Sequence, residues 1–178
     1  MSKGSLYFPG LGDICNYKLV VYSDASYANL PDGYSSAGGF VIFLVGENGN
    51  SCPLYWEAKK IRRVVKSTLA AETLAAAEAV DMAYYLGNML SQILYDEERK
   101  LPVELYVDNH SIYDNVYSVK NVSEKRLRID IAILKEMVQC GELKIFWVDS
   151  KSQLADVLTK KGVNPMKIAK VFESGYLQ

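Results

Sequence analysis

Apolar and polar residues alternate along Tyr17-Lys-Leu-Val-Val-Tyr22, the period of a strand with one buried face, and a carboxylate, Asp24, stands just past the run. The spacing predicts a strand over 17–24. Pro31-Asp-Gly33 signals a turn, and the β-branched and aromatic residues from Ser35 to Val45 predict a second strand. Glu47-Asn-Gly-Asn50 closes a hairpin into a third, Cys52 to Glu57. From Ser67 to Leu90 the period changes. Alanine, leucine, glutamate and methionine dominate, with Leu69, Thr73, Ala76 and Val80 on one face, so a long helix is expected, N-capped by Ser67 or Thr68 and carrying Glu72 in its second turn.

Further on, a charged loop over Asp96 to Lys100 leads into a short strand, Val103 to Val107, that stops at Asp108. A short helix follows over 110–118. Ser123 is expected to cap a better one, whose stripe of Leu127, Ile131, Leu134 and Val138 ends before Gly141. Leu143 to Val148 reads as a fifth strand. Ser150-Lys-Ser-Gln153 has the form of a capping box, predicting a helix with Asp156 in its second turn. Residues 1–16, with Gly4, Pro9, Gly10 and Gly12, show no period and read as a linker or the remnant of something upstream; 163–178 read as a C-terminal extension with a further helix. The order β-β-β-α-β-α-α-β-α predicts an α/β domain over 17–162. Its five-stranded mixed sheet has three antiparallel strands and then two parallel ones, flanked by helices.

Composition narrows the class. A chain of 178 residues, 49% hydrophobic and 23% charged, is expected to form one domain with a substantial core. Its apolar stretches fall short of the ~20 residues a membrane span requires, and Met1-Ser-Lys-Gly-Ser lacks a signal-peptide pattern, so no membrane association is expected. Cys15, Cys52 and Cys140 are widely spaced and have no histidine companions, which predicts neither a disulfide framework nor a zinc site. A net charge of −1 disfavours a binder held mainly by counterion release. Lys59, Lys60, Arg62, Arg63 and Lys66 nevertheless form a local basic run, readable as a phosphate grip or as a solvated edge, and Lys160-Lys161 follow the last candidate ligand. Trp56 and the thirteen tyrosines are expected to serve as core or half-buried packing.

Asp24, Glu72, Asp108 and Asp156 each stand at a comparable spot in a separate segment. Brought together, they would form a divalent-cation site, because magnesium takes oxygen ligands and leaves positions for water and phosphate. Taken singly, each has an ordinary reading: two strand-ending carboxylates, a surface helical residue, and a charge favoured by a helix dipole.

Set in order, the segments Tyr22-Ser-Asp-Ala-Ser-Tyr-Ala28, Ser36-Ala-Gly-Gly-Phe-Val-Ile42, Tyr55-Trp-Glu-Ala-Lys-Lys60, Ser67-Thr-Leu-Ala-Ala-Glu72, Tyr106-Val-Asp-Asn-His-Ser-Ile112, Arg126-Leu-Arg-Ile-Asp-Ile131 and Gln153-Leu-Ala-Asp-Val-Leu-Thr-Lys160 resemble the ribonuclease H domain of copia-type retrotransposon Pol polyproteins. The resemblance covers about residues 17–162. It implies the ribonuclease-H-like fold and cleavage of the RNA strand of RNA–DNA hybrids by two Mg2+ ions, with Mn2+ as a substitute, during reverse transcription. It also implies a reverse transcriptase domain as partner in the same polyprotein, and a cytoplasmic, virus-like-particle or nuclear location. By analogy with the family, Asp24 bridges both ions, Asp156 completes the water-activating one, and Glu72 and Asp108 hold the other. Ser26, Asn109, Lys59, Lys60, Arg62 and Arg63 are the expected substrate contacts, reading 2′-hydroxyls and phosphates rather than base edges.

Two departures stand out. Many ribonucleases H carry a histidine on a loop before the fourth carboxylate, but the one histidine here, His110, directly follows Asp108, so that role is unfilled or passes to a group such as Lys151. Ser123-Glu-Lys-Arg-Leu-Arg128 stands where copia-type chains usually carry a histidine-containing, threonine- and lysine-rich segment. The alternatives are a catalytically silent scaffold or nucleic-acid-binding module of the same fold, and a recombinase or exonuclease sharing the metal site.

Overall fold

The computed structural model describes residues 5–95, 99–118 and 124–177, with the side chain of Arg126 left out. Five strands form one mixed sheet: β1 (Lys18–Ser26), β2 (Ala37–Val45), β3 (Ser51–Lys60), β4 (Val103–Val107) and β5 (Leu143–Trp147), in the order β3-β2-β1-β4-β5. β1 runs antiparallel to β2, and β2 to β3; β4 lies parallel to β1, and β5 to β4. This is the expected topology. The first strand differs from its sequence reading. β1 is the central strand and is buried on both faces, so it extends to Ser26 and takes Asp24 into the ladder opposite Gly39. At the β3 edge the pairing with β2 shifts between Ile42 and Phe43, where Pro53 sits, a position that tolerates a residue without an N–H.

α1 (Thr68–Leu94) is the long helix, and the Ser67 hydroxyl caps it by accepting from the Ala70 N–H at 3.1 Å. Its buried face is made of small residues, among them Ala71, Ala75, Ala76, Ala79, Ala83 and Gly87. That face lets the helix lie close to the sheet. A Cβ on Gly38 of β2 would stand 3.3 Å from the Ala75 Cβ. α2 (His110–Tyr117) and α3 (Arg128–Gln139) cover the same face, where Leu19, Val21, Ile42, Leu105, Ile112, Ile131, Leu134 and Ile145 form the main core. The expected Ser123 cap lies outside the described residues, as does part of the 96–100 loop; α3 starts at Arg128 after a 3-10 turn over Lys125–Leu127.

On the opposite face Val20, Tyr22, Val41, Phe43 and Val45 pack under Leu154, Ala155 and Ile168. The cover comes from α4 (Asp156–Thr159) and α5 (Met166–Ser174). The two end segments meet beside β3: the Tyr7 N–H donates to the Phe172 carbonyl at 2.8 Å, and the Asn50 amide to the Gly10 carbonyl at 2.8 Å. Among the described residues no helix is long and apolar enough to cross a membrane. All three cysteines are free, and Cys15 and Cys140 are exposed. Trp56, at 50% exposure, is half-buried against Phe172, whereas Tyr34 and Tyr85 are largely exposed, against expectation.

Candidate active site

The carboxyl ends of β1 and β4 lie side by side in the parallel part of the sheet, and α4 is laid across β1 and β2 next to them. Backbone geometry makes room for α4. A Cβ on Gly39, directly opposite Asp24, would stand 2.7 Å from the Leu158 Cβ and 3.0 Å from the Thr159 Cγ2, so α4 reaches Asp24 only because β2 has no side chain there. The Thr159 hydroxyl then donates to Asp24 Oδ2.

Asp156 is the first residue of α4, not a second-turn residue as the sequence pattern predicts. The presumed capping box is not one. Asp149 caps a separate 3-10 turn, Ser150–Ser152, by accepting from the Lys151 N–H at 2.8 Å. Gln153 instead turns inward. Its buried amide donates to the Ser23 carbonyl at 3.0 Å and to the Tyr106 carbonyl at 3.4 Å, and its oxygen accepts from the Ala155 N–H at 3.1 Å. One side chain thus ties the ends of β1 and β4 to the segment that delivers Asp156.

Asp108 follows β4 and is held at two atoms. The Ser150 hydroxyl donates to its Oδ2 at 2.9 Å, and the Trp147 indole N–H donates to its carbonyl at 3.0 Å. The indole in turn stacks on His110, with ring centroids 4.4 Å apart, which accounts for the histidine that follows Asp108.

Asp24, Asp108 and Asp156 each offer an oxygen, and these lie within 4.8 Å of one another. Glu72 stands outside that trio. It is buried in α1 at 5% exposure, close enough for the charges of Asp24 and Asp108 to act on it. Burial first, and then those two charges, push its carboxyl up to about 9, against the opposing pull of Lys160 and the Ala25 N–H. Burial likewise raises fully buried Asp24 to about 6, with the Thr159 hydrogen bond and the Lys160 charge opposing. Among the described residues Glu72 Oε2 is buried without a hydrogen-bond donor, and buried Asp24 Oδ1 has no neighbouring donor but the Lys160 ammonium. An all-oxygen set containing such under-satisfied acceptors fits a hard divalent cation. A cation is in fact already seated there, the Lys160 ammonium, at 2.6 Å from Asp156 Oδ1, 3.2 Å from Asp24 Oδ1 and 3.9 Å from Asp108 Oδ2.

The expected substrate contacts are differently placed. Ser26 is buried at the end of β1, and the Asn109 side chain caps α2 by accepting from the Ser111 N–H at 2.9 Å. Lys59 pairs with Glu57 and Glu78, Lys60 with Asp32, and Arg63 with Asp130. Of the basic run only Arg62 and Lys66 make no ion pair among the described residues, and Arg62 lines an open cleft between β3 and α1. Lys151 is exposed. Thr159, Lys160, Ser150 and Gln153 are site residues that the sequence reading did not assign to the site. For Lys160 a signal existed: it lies one helical turn after Asp156.

The fold is that of ribonuclease H. Over 86% of this chain and 96% of the other, it matches the N-terminal ribonuclease H domain of a Mycobacterium tuberculosis protein with a TM-score of 0.59 at 17% identity. It also matches LC11-RNase H1, solved in complex with an RNA/DNA hybrid, with a TM-score of 0.56 at 20% identity over 81% of this chain and 95% of that one. No family model matches the chain. Two Arabidopsis thaliana sequences, the retrovirus-related Pol polyproteins from transposons RE1 and RE2, are 32% and 30% identical over 143 residues, 80% of this chain. The chain spans only 9% of their length. It is therefore a ribonuclease-H-fold domain of the retrotransposon Pol type, and these relatives are consistent with the copia-type resemblance.

Proposed function

We propose that this domain is a metal-dependent endoribonuclease that cuts the RNA strand of RNA–DNA hybrids, acting beside a reverse transcriptase domain in a longer polyprotein and within the particle where reverse transcription proceeds. The observation that carries the reading is the trio of carboxylate oxygens within 4.8 Å, brought together from β1, the end of β4 and α4. Asp24, Asp108 and Asp156 would hold divalent ions, Mg2+ by the hardness of the oxygen set, with Glu72 completing the set once ionised. When bound, two such ions supply a more acidic water and positive charge at the leaving oxygen. The chain's own part is positioning. Thr159 fixes one oxygen of Asp24, Ser150 fixes one of Asp108, and Gln153 holds both strand ends against α4. Arg62 and Lys66, which make no ion pair among the described residues, are the residues of the basic run free to meet a phosphate. Support for the hybrid as substrate comes from the likeness to a hybrid-bound ribonuclease H1 and from the Pol relatives.

The test is cleavage of a labelled hybrid in Mg2+ or Mn2+, with RNA–RNA and DNA–DNA duplexes and Asp24→Asn as controls. Metal-dependent cutting of the hybrid alone, lost in the variant, is expected. A folded protein that leaves the hybrid intact at high concentration points instead to a silent scaffold of the same fold.

A further inference from the structure

Lys160 occupies the place that the divalent reading reserves for a metal. Its ammonium contacts the same three carboxylates whose oxygens define the candidate site, at 2.6, 3.2 and 3.9 Å. It is the sole cation there among the described residues, facing Asp24, Asp108 and Asp156 directly and acting on Glu72 through space. Without it, four carboxyl groups, two of them buried, would stand unneutralised, and those that are ionised would repel one another. Position makes the contact reversible. Lys160 reaches back one turn along α4 to Asp156, its side chain is 35% exposed, and its flexible stem can turn the ammonium out to solvent. A hard cation bound to the same oxygens and the ammonium exclude each other, on both steric and Coulombic grounds.

We propose that Lys160 is a built-in counter-ion that holds the carboxylates together in the metal-free protein and is displaced when a divalent ion loads. The inference rests on the metal-dependent reading above. Loading is then an exchange of one positive charge for two, and intrinsic affinity is reduced by the cost of expelling the ammonium. Lys160 is a positioning residue for the carboxylates before an ion loads. Once expelled, its charge is released on the open side of the site, where a phosphate would approach.

Calorimetric titration with Mn2+, in the absence of nucleic acid, tests this on the native protein, Lys160→Met and Lys160→Arg. Lys160→Met should bind Mn2+ about tenfold more tightly, since a competing ion at contact distance is removed. Its metal-free melting midpoint should fall, and Mn2+ should restore it. Lys160→Arg, which keeps the charge, should stay near the native protein in both respects. The native protein gives a readout independent of any folding defect: the 15N-labelled Lys160 amine signal, identified by its loss in Lys160→Arg, should shift and exchange faster with solvent as Mg2+ is added. Equal or weaker Mn2+ binding by a folded Lys160→Met, or an amine signal indifferent to saturating Mg2+, overturns the inference. If both proteins bind Mn2+ equally and cut the hybrid, the inference alone falls. If neither binds Mn2+, it falls together with the metal-dependent reading.

Discussion

The Gln153 amide donates to the Ser23 carbonyl at 3.0 Å, a contact that joins residues 130 positions apart and sets where the last carboxylate meets the first. Ser23 is next to Asp24, and Gln153 lies three positions before Asp156, so this bond fixes the offset between two members of the trio. Gln153→Ala would leave the buried Ser23 carbonyl and Ala155 N–H short of a partner, at a cost of about 1–3 kcal/mol. We expect a lower denaturant midpoint together with a loss of hybrid cleavage larger than the unfolded fraction explains. A variant with native activity would show that α4 is located by its other contacts.

Gly39 makes the opposite argument, through an absent side chain. A Cβ there would lie 2.7 Å from the Leu158 Cβ, closer than real atoms approach, so Gly39→Val must lift α4 from the sheet or distort β2. Overpacking of this kind costs about 1–3 kcal/mol. Because Asp156 and Thr159 ride on that helix and Lys160 caps its C-terminal end, divalent-ion affinity measured by calorimetry should drop with stability. Gly33, whose surroundings are open, provides a control for glycine replacement, although its positive φ of 78° adds local strain.

The succession of strands along the chain was legible because alternation marks sheet faces. The three acids of the trio were legible only as a set, through the order of the segments that carry them, since each alone reads as an ordinary strand-end or helix carboxylate. The start of α4 was not legible, because Ser-x-x-Gln is chemically a good cap and only the tertiary fold shows Gln153 spent on two strand carbonyls. Nor was the neutralisation of the basic run. Its partners Asp32 and Asp130 lie 28 and 67 residues away, a pairing that no local pattern encodes. Lys160 could have been read from its spacing to Asp156, but a lysine after an acid on a helix suggests an ordinary surface pair until Asp24 and Asp108 are seen to share it.

The elevated carboxyls give the metal-free protein a defined pH response. Asp24 rises from an ordinary 3.8 to about 6, and Glu72 from 4.5 to about 9. A carboxyl raised on folding binds its proton more tightly in the folded state, so the unfolded chain loses the proton first as pH increases. Stability from these two groups is therefore intact below about pH 4, declines as pH climbs and is fully lost above about pH 9. Divalent ions require the deprotonated groups and reverse the trend. Melting midpoints recorded with Mg2+ and with a chelator should diverge steadily across that window. A constant gap would mean that these carboxyls do not meet the ion.

Replacing Glu72 separates function from stability. The residue is buried in α1, its Oε2 has no donor among the described residues, and the neighbouring charges of Asp24 and Asp108 are of like sign, so at pH 8 the folded protein bears either an unfavourable buried charge or the cost of holding a proton. Gln has nearly the same shape and carries neither cost. In the presence of a chelator at pH 8, Glu72→Gln should raise the free energy of unfolding by roughly 1–2 kcal/mol, the direction seen when an uncompensated buried charge is removed. Hybrid cleavage in Mg2+ should fall by about 100-fold or more, the usual scale for losing an electrostatic group at a reacting centre. Denaturation curves and initial rates on the same preparation decide it. A variant that is less stable without metal would assign Glu72 a structural partner, and one that is more stable yet equally active would place the chemistry with Asp24, Asp108 and Asp156 alone.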